Sequence, residues 1–162
     1  MSVVTLGIGE YGVINKPGDV IKTHALGSCV AIVMLDPATR TVGMVHVALP
    51  ESKVHLERAQ KLPGYFADTA IPALLEMMRG VGAAANLRKV IVKMTGGANV
   101  MDKNNTFNIG KRNVLAIKKG LWAERMGAVA EAVGGSISRT VTINMDDGKV
   151  IITSPGREPA NI

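Results

Sequence analysis

Cysteine occurs once in the 162 residues, at Cys29. A single thiol closes no intramolecular disulfide and builds no cysteine-rich zinc site, which excludes disulfide scaffolds and zinc ribbons. Aromatic residues make up only 3% of the chain, so the core must be assembled from Val, Ile, Leu, Ala and Met. No apolar run approaches the roughly 20 residues of a membrane-spanning helix. The opening MSVVTLGIGEYG has neither the basic start nor the apolar stretch of a secretory signal. No internal repeat, low-complexity tract or Pro/Ser-rich linker is present. What remains is an ordinary globular composition, 47% hydrophobic and 20% charged. The expectation is one domain over residues 1–162, in the cytoplasm.

Negative charge is also in short supply, and the formal net charge is +6. The surplus is local. Arg88, Lys89, Lys93, Lys103, Lys111, Arg112, Lys118 and Lys119 are opposed within residues 88–119 by Asp102 alone. A field of one sign would steer an acidic partner, whereas the same residues spread around a strand and a helix would be solvated. Nucleic acid is not the partner expected, because no aromatics or RNA-binding motif interleave with these charges.

Residues 3–8 read as a strand closed by a turn at Gly9-Glu10. The run Val30–Leu35 (VAIVML) reads as a strand buried on both faces. Asp36-Pro37-Ala38-Thr39-Arg40 has turn chemistry, and residues 41–47 (TVGMVHV) return as its hairpin partner. The two-residue period then places His46 on the face of Met44 and Val42. Residues 51–64, carrying His55, read as a long polar loop. Ile71, Leu74, Leu75 and Met78 mark a helix, with Asp68 or Thr69 as its cap so that Pro72 falls near the first turn. Residues 89–95 predict a strand ending at Gly96-Gly97. From Gly110 a second helix is expected to turn Val114, Ile117, Leu121 and Trp122 inward, leaving Lys111, Lys118 and Lys119 wet. Residues 128–133, 139–144 and 149–153 read as closing strands, the last two joined by Asp146-Asp147-Gly148. The order breaks strict β-α alternation. It predicts an α+β fold, with mixed or antiparallel sheets in a sandwich-like core and two main amphipathic helices on the outside.

Cys29 follows the turn-forming Gly27 and Ser28 and is expected to open the buried strand. A thiol there is either a small core hydrophobe or a nucleophile whose thiolate or oxyanion the turn amides stabilise. His46, returning beside it in the hairpin, is either a satisfied core histidine or a base. Thr23, Ser28 or a backbone carbonyl could orient its ring. His24 and His55 are competing bases, although flanking alternation turns His24 away from Thr23 and the polar loop solvates His55. No HxxxH or CxxC pair supports a metal site. The glycine pairs Gly7/Gly9 and Gly96/Gly97 lack the rest of any phosphate-binding motif.

Leu26-Gly27-Ser28-Cys29-Val30 following Thr23, together with Gly43-Met44-Val45-His46, Gly96-Gly97-Ala98-Asn99, Asn108-Ile109-Gly110-Lys111-Arg112-Asn113 and Gly134-Gly135, resembles the chemoreceptor glutamine deamidases called CheD. The motifs occur in the family's order over nearly the whole chain. The resemblance implies a cysteine hydrolase with Cys29 as nucleophile, His46 as base and Thr23 completing the triad. Its implied substrate is a glutamine on the cytoplasmic helices of chemotaxis receptors, converted to glutamate through a thioester without a cofactor. Hydrolysis of receptor methyl esters is a further implied activity. Gly27, Ser28, Lys111 and Arg112 are the expected substrate contacts. A CheC-type response-regulator phosphatase is the implied second partner, and a docking module for that phosphatase is the alternative reading. The chain departs from the family pattern at His24 and Ala25, at Ala132 and over residues 136–139.

Overall fold

In the computed structural model, which describes residues 1–100 and 107–162, the central hairpin forms as the alternation dictates. Its arms are preceded by strands β1 (Val3–Leu6), β2 (Tyr11–Ile14) and β3 (Val20–Leu26). The arms themselves, β4 (Val30–Asp36) and β5 (Thr41–Val47), pair antiparallel from Val30↔Val47 to Asp36↔Thr41. Val30, Ile32 and Met34 point to one face of β4, and Ala31 and Val33 to the other; both sets are buried. A strand buried on both sides needs a layer above and a layer below.

The helices form one of those layers. After the short α1 (Leu56–Lys61) come α2 (Ala67–Gly80), β6 (Ile91–Gly96) and α3 (Ile109–Ala123). Ile71, Leu74, Leu75 and Met78 of α2, with Val114, Ile117 and Leu121 of α3, close over Val30, Ile32, Val45 and Val47. Gly43 lets α2 come close, since a Cβ there would lie 2.9 Å from Leu74 Cδ1. The second layer is a sheet completed by β7 (Ala128–Val133), β8 (Arg139–Asn144), β9 (Val150–Thr153) and β10 (Ala160–Asn161). One five-stranded sheet runs β1-β3-β8-β9-β10 and the other β2-β5-β4-β6-β7. Among the named strands of the described residues, the β1–β3 and β6–β7 pairs are parallel and the others antiparallel. Ile21, Leu26, Val141, Ile143 and Val150 from the first sheet meet Ala31, Val33, Val42 and Met44 from the second. The fold is α+β: two sheets in a sandwich, with helices on one outer face.

Several expectations are corrected. Residues 51–64 are not a plain loop but hold α1 and flanking 3-10 turns, Ser52–Val54 and Pro63–Tyr65. Neither Asp68 nor Thr69 caps α2. The helix begins directly after Phe66, and the Asp68 carboxylate instead accepts from Ser52 N–H and Oγ–H. Pro72 therefore sits well inside α2, where the carbonyl four residues back forgoes its helical donor. Trp122 does not face the core; it is 81% exposed. Its neighbour Leu121 takes the inward position, and successive helical residues point about 100° apart, so only one of the two can face in. Strands β2, β3 and β10 arise where the sequence pattern assigns none. Among the described residues, no helix is long and apolar enough to cross a membrane.

Candidate active site

The crossing from β3 to β4 carries the chain from one sheet of the sandwich to the other, and Cys29 lies on it. Cys29 is the residue before β4 rather than its first, yet its carbonyl is already held by Gly97 N–H at 2.8 Å. It is half-buried against the inter-sheet cluster. On β5, His46 lies opposite Ala31. Cys29, two residues before Ala31, is thus the diagonal cross-strand neighbour of His46, a relation within reach of long side chains. His46 faces the other sheet, as Met44 and Val42 do, and is 2% exposed.

Thr23 reaches His46 from the opposite sheet. The β3–β8 register shifts between Thr23 and Leu26, with Ala25 left-handed at φ 56. This bulge lets both Thr23 and Leu26 point inward while His24 and Ala25 face outward. Thr23 Oγ1 donates to the Leu6 carbonyl at 2.8 Å and lies 2.6 Å from His46 Nδ1. A hydroxyl has one proton to give. With that proton on Leu6, Oγ1 accepts from Nδ1–H, which fixes the tautomer and leaves Nε2 with a bare lone pair. Nε2 is buried and has no hydrogen-bond partner among the described residues. His55, by contrast, is exposed and spends Nδ1 on Arg58 N–H as the cap of α1. Neither His55 nor the outward His24 enters the site.

Burial sets the electrostatics. Desolvation lowers the His46 pKa to about 4, so the ring is neutral at pH 7. Desolvation raises the Cys29 pKa, and the residue's own backbone N–H, which favours the thiolate, only partly opposes it. The resting pair is therefore neutral thiol and neutral imidazole. Among the described residues, no group of His, Cys, Asp or Glu is placed to hold a metal ion.

A cleft of about 360 Å³ opens beside this site, lined by Gly27, Ser28, Gly97, Gly110, Lys111 and Gly134 among others. Three of the four expected substrate contacts, Gly27, Ser28 and Lys111, border it; Arg112 instead lines the groove between α2 and α3. The basic segment does not gather on one face. Arg88 and Lys89 sit at the start of β6, by Ile91↔Leu35, whereas Cys29 adjoins the far end at Gly96↔Val30. Lys93 bonds the carbonyl of Ile162, and Lys103, with Asp102, lies outside the described residues.

Two residues that sequence reasoning missed hold the site together. Asn113 of α3 is fully buried and donates through Nδ2 to the carbonyls of Ser28 (2.9 Å) and Ala48 (3.0 Å). It ties the turn before Cys29 to the residue just beyond the His46 strand. Asn113 stands four residues before the inward Ile117, and a polar residue on a buried helical stripe was a signal available beforehand. Arg139 Nη1 donates to the carbonyls of Gly96 (3.1 Å) and Gly134 (2.9 Å), bracing Gly134 of the cleft wall against the end of β6. Nothing in its sequence context announces this. The glycine motifs now have a physical cause. A Cβ on Gly96 would strike the Cys29 carbonyl, and one on Gly110 would strike the carbonyls of Gly97 and Ala98.

A family model described as CheD chemotactic sensory transduction matches residues 48–154. A protein of Syntrophotalea carbinolica, "Probable chemoreceptor glutamine deamidase CheD", is 55% identical over 157 residues, 97% of each chain. The chain belongs to the CheD family. Another CheD relative, from Anaeromyxobacter dehalogenans, is 45% identical over 95% of this chain and 96% of its own. "Chemoreceptor glutamine deamidase CheD" of Thermotoga maritima is 40% identical over 93% of this chain and 91% of its own. The CheD model begins beyond Thr23, Cys29 and His46, but the 157-residue alignment necessarily spans all three. His24 and Ala25 fall on the outward side of the β3 bulge, away from His46.

Proposed function

We propose that this protein is a cytoplasmic chemoreceptor glutamine deamidase that works through Cys29, His46 and Thr23. The observation that carries the reading is the Thr23–His46 hydrogen bond, which leaves Nε2 bare in a buried site diagonal to Cys29. Names of relatives matched over nearly the whole chain support the same activity.

Because thiol and imidazole are both neutral at rest, the proton leaves sulfur only as carbon is attacked. Cys29 Sγ bonds to the carboxamide carbon of a glutamine in the cleft while its proton passes to His46 Nε2. The amides of Ser28 and Cys29 stand at the turn where the resulting oxyanion collects. Nε2–H then protonates the departing nitrogen, the C–N bond breaks, and ammonia leaves a thioester on Cys29. Water attacks the thioester, giving its proton to Nε2. Collapse breaks the C–S bond, returns that proton to sulfur and releases glutamate. Thr23 holds the ring throughout, and its bond to Nδ1–H strengthens as the imidazolium forms. A glutamate methyl ester at the same carbon would follow these steps with methanol leaving.

Incubation with a receptor cytoplasmic fragment, followed by peptide mass spectrometry, tests the proposal. Glutamine-to-glutamate conversion by the native protein and none by Cys29→Ala is the expected result. Full conversion by Cys29→Ala would remove the nucleophile assignment. No conversion by either protein, with tight binding to a CheC-type phosphatase, would replace the enzyme with a docking module.

A further inference from the structure

Helix α3 contains four cations, Lys111, Arg112, Lys118 and Lys119, and no anion. With Gly110, Asn113, Val114, Ile117 and Leu121 buried, one exposed flank of the helix carries Lys111, Leu115, Lys118 and Trp122. These four are spaced four, three and four residues apart, the repeat by which one helix offers a continuous seam to another. All four are exposed, Leu115 by 56% in addition to the indole already described. Arg112 and Lys119 flank the seam. Glu131 engages Lys118 at 3.1 Å, and Glu51 lies within the field of Arg112 and Lys119. Lys53, Asp68 and Glu124 line the same grooves, so five cations face four anions and the face is only weakly positive, its free charge sitting on Lys111 at the cleft end.

The seam is also continuous with the cleft. Lys111, its first member, lines the cleft beside Ser28. Leu115, Lys118 and Trp122 then border a groove of about 640 Å³ against Ala128 and Glu131. From Lys111 to Trp122 the stripe runs about 16 Å, or three helical turns. An apolar and basic stripe of helical repeat that starts at a reaction cleft fits one occupant: an acidic amphipathic helix whose end reaches that cleft.

We propose that the Lys111–Leu115–Lys118–Trp122 face of α3 is an exosite on which an acidic helix of the substrate protein packs, delivering a glutamine to the cleft at its end. The substrate identity rests on the deamidase reading above; the docking itself does not need turnover.

Trp122 is the only tryptophan in the chain, so its fluorescence reports on the seam directly. Cys29→Ala protein is titrated with a tryptophan-free, negatively charged helical fragment of a receptor cytoplasmic domain. A saturable blue shift is expected, with the midpoint moving to higher fragment concentration as salt is added. Leu115→Asp should weaken binding about tenfold or more. Unshifted emission at fragment concentrations that the native protein converts to glutamate would overturn the exosite and leave the deamidase standing. A saturating shift with a fragment that is never converted would uphold the exosite and remove the deamidase reading. Neither shift nor conversion would overturn both. An equal shift at the same midpoint with a single-stranded oligonucleotide of matched charge would overturn the helix as occupant.

Discussion

The Asn113 side chain sits inside a helix and away from solvent, with both its N–H groups committed to carbonyls of other segments. Its Oδ1 is buried without a partner among the described residues. Such a group costs about 1–3 kcal/mol, and the fold carries that cost to fix Ser28 relative to Ala48, two residues beyond His46. Asn113→Leu should separate the two roles. It relieves the orphan oxygen while stripping two carbonyls of their donor, so the melting temperature should change little. The turn bearing Cys29 loses its tether, and a displacement on the order of 1 Å there can cost about a hundredfold in rate. Deamidation should slow, with the melting curve as reference. A melting temperature that collapses while the turnover of the folded fraction stays unchanged would assign Asn113 to stability alone. Legibility at this scale was uneven. The cysteine–histidine relation could be read because a hairpin is local, and Asp36-Pro37 announced it. Thr23 stood beside Ser28 and a backbone carbonyl as a candidate, and only family likeness singled it out, because its contact crosses the sandwich and depends on a bulge at Ala25.

At the scale of elements, the approach of α3 to the turn after β6 is set by glycines rather than by apolar pattern. Gly110→Ala places a methyl against the carbonyls of Gly97 and Ala98. Overpacking of this kind costs about 1–3 kcal/mol, and because the same turn holds the Cys29 carbonyl, stability and activity should fall together in melting and turnover assays. Gly80→Ala, at the end of α2 where an added Cβ meets nothing within 4 Å, should instead stabilise by about 0.5–1 kcal/mol. The strands that the sequence made plain, β4, β5 and β8, are continuous apolar or alternating runs bounded by turn residues. Those it hid are broken from within. Gly12 interrupts β2, and Lys22, His24 and the bulge spoil the alternation of β3. Helix α1 buries only Ala59, so it shows no period. The outward Trp122 was misread because a large apolar residue beside Leu121 was assigned to the core by type, when helical geometry admits one of the two.

For the whole molecule, the Thr23–His46 contact is a bond between the two sheets, and its titration is a property of folding. The His46 pKa falls from 6.5 in the unfolded chain to about 4 in the fold. Between those values the unfolded state binds more protons, so stability rises with pH across that window. The contribution is fully present above pH 6.5 and drains away as pH falls toward 4, amounting to about 3 kcal/mol. Urea unfolding at a series of pH values should show this slope, and His46→Asn should flatten it. An unchanged slope in that variant would place the acid sensitivity elsewhere. The Cys29 pKa, raised above 9.0, acts at the other end: above that pH the unfolded thiol ionises first and stability declines.

Peroxide and other oxidants consume thiolates, not thiols, and their first product is sulfenic acid. Cys29, kept protonated by its surroundings and deprived of any neighbouring cysteine, presents such reagents with very little to react with. In the proposed role, a thiol that ionises only when an acyl carbon arrives would sit idle among oxidants without being spoiled.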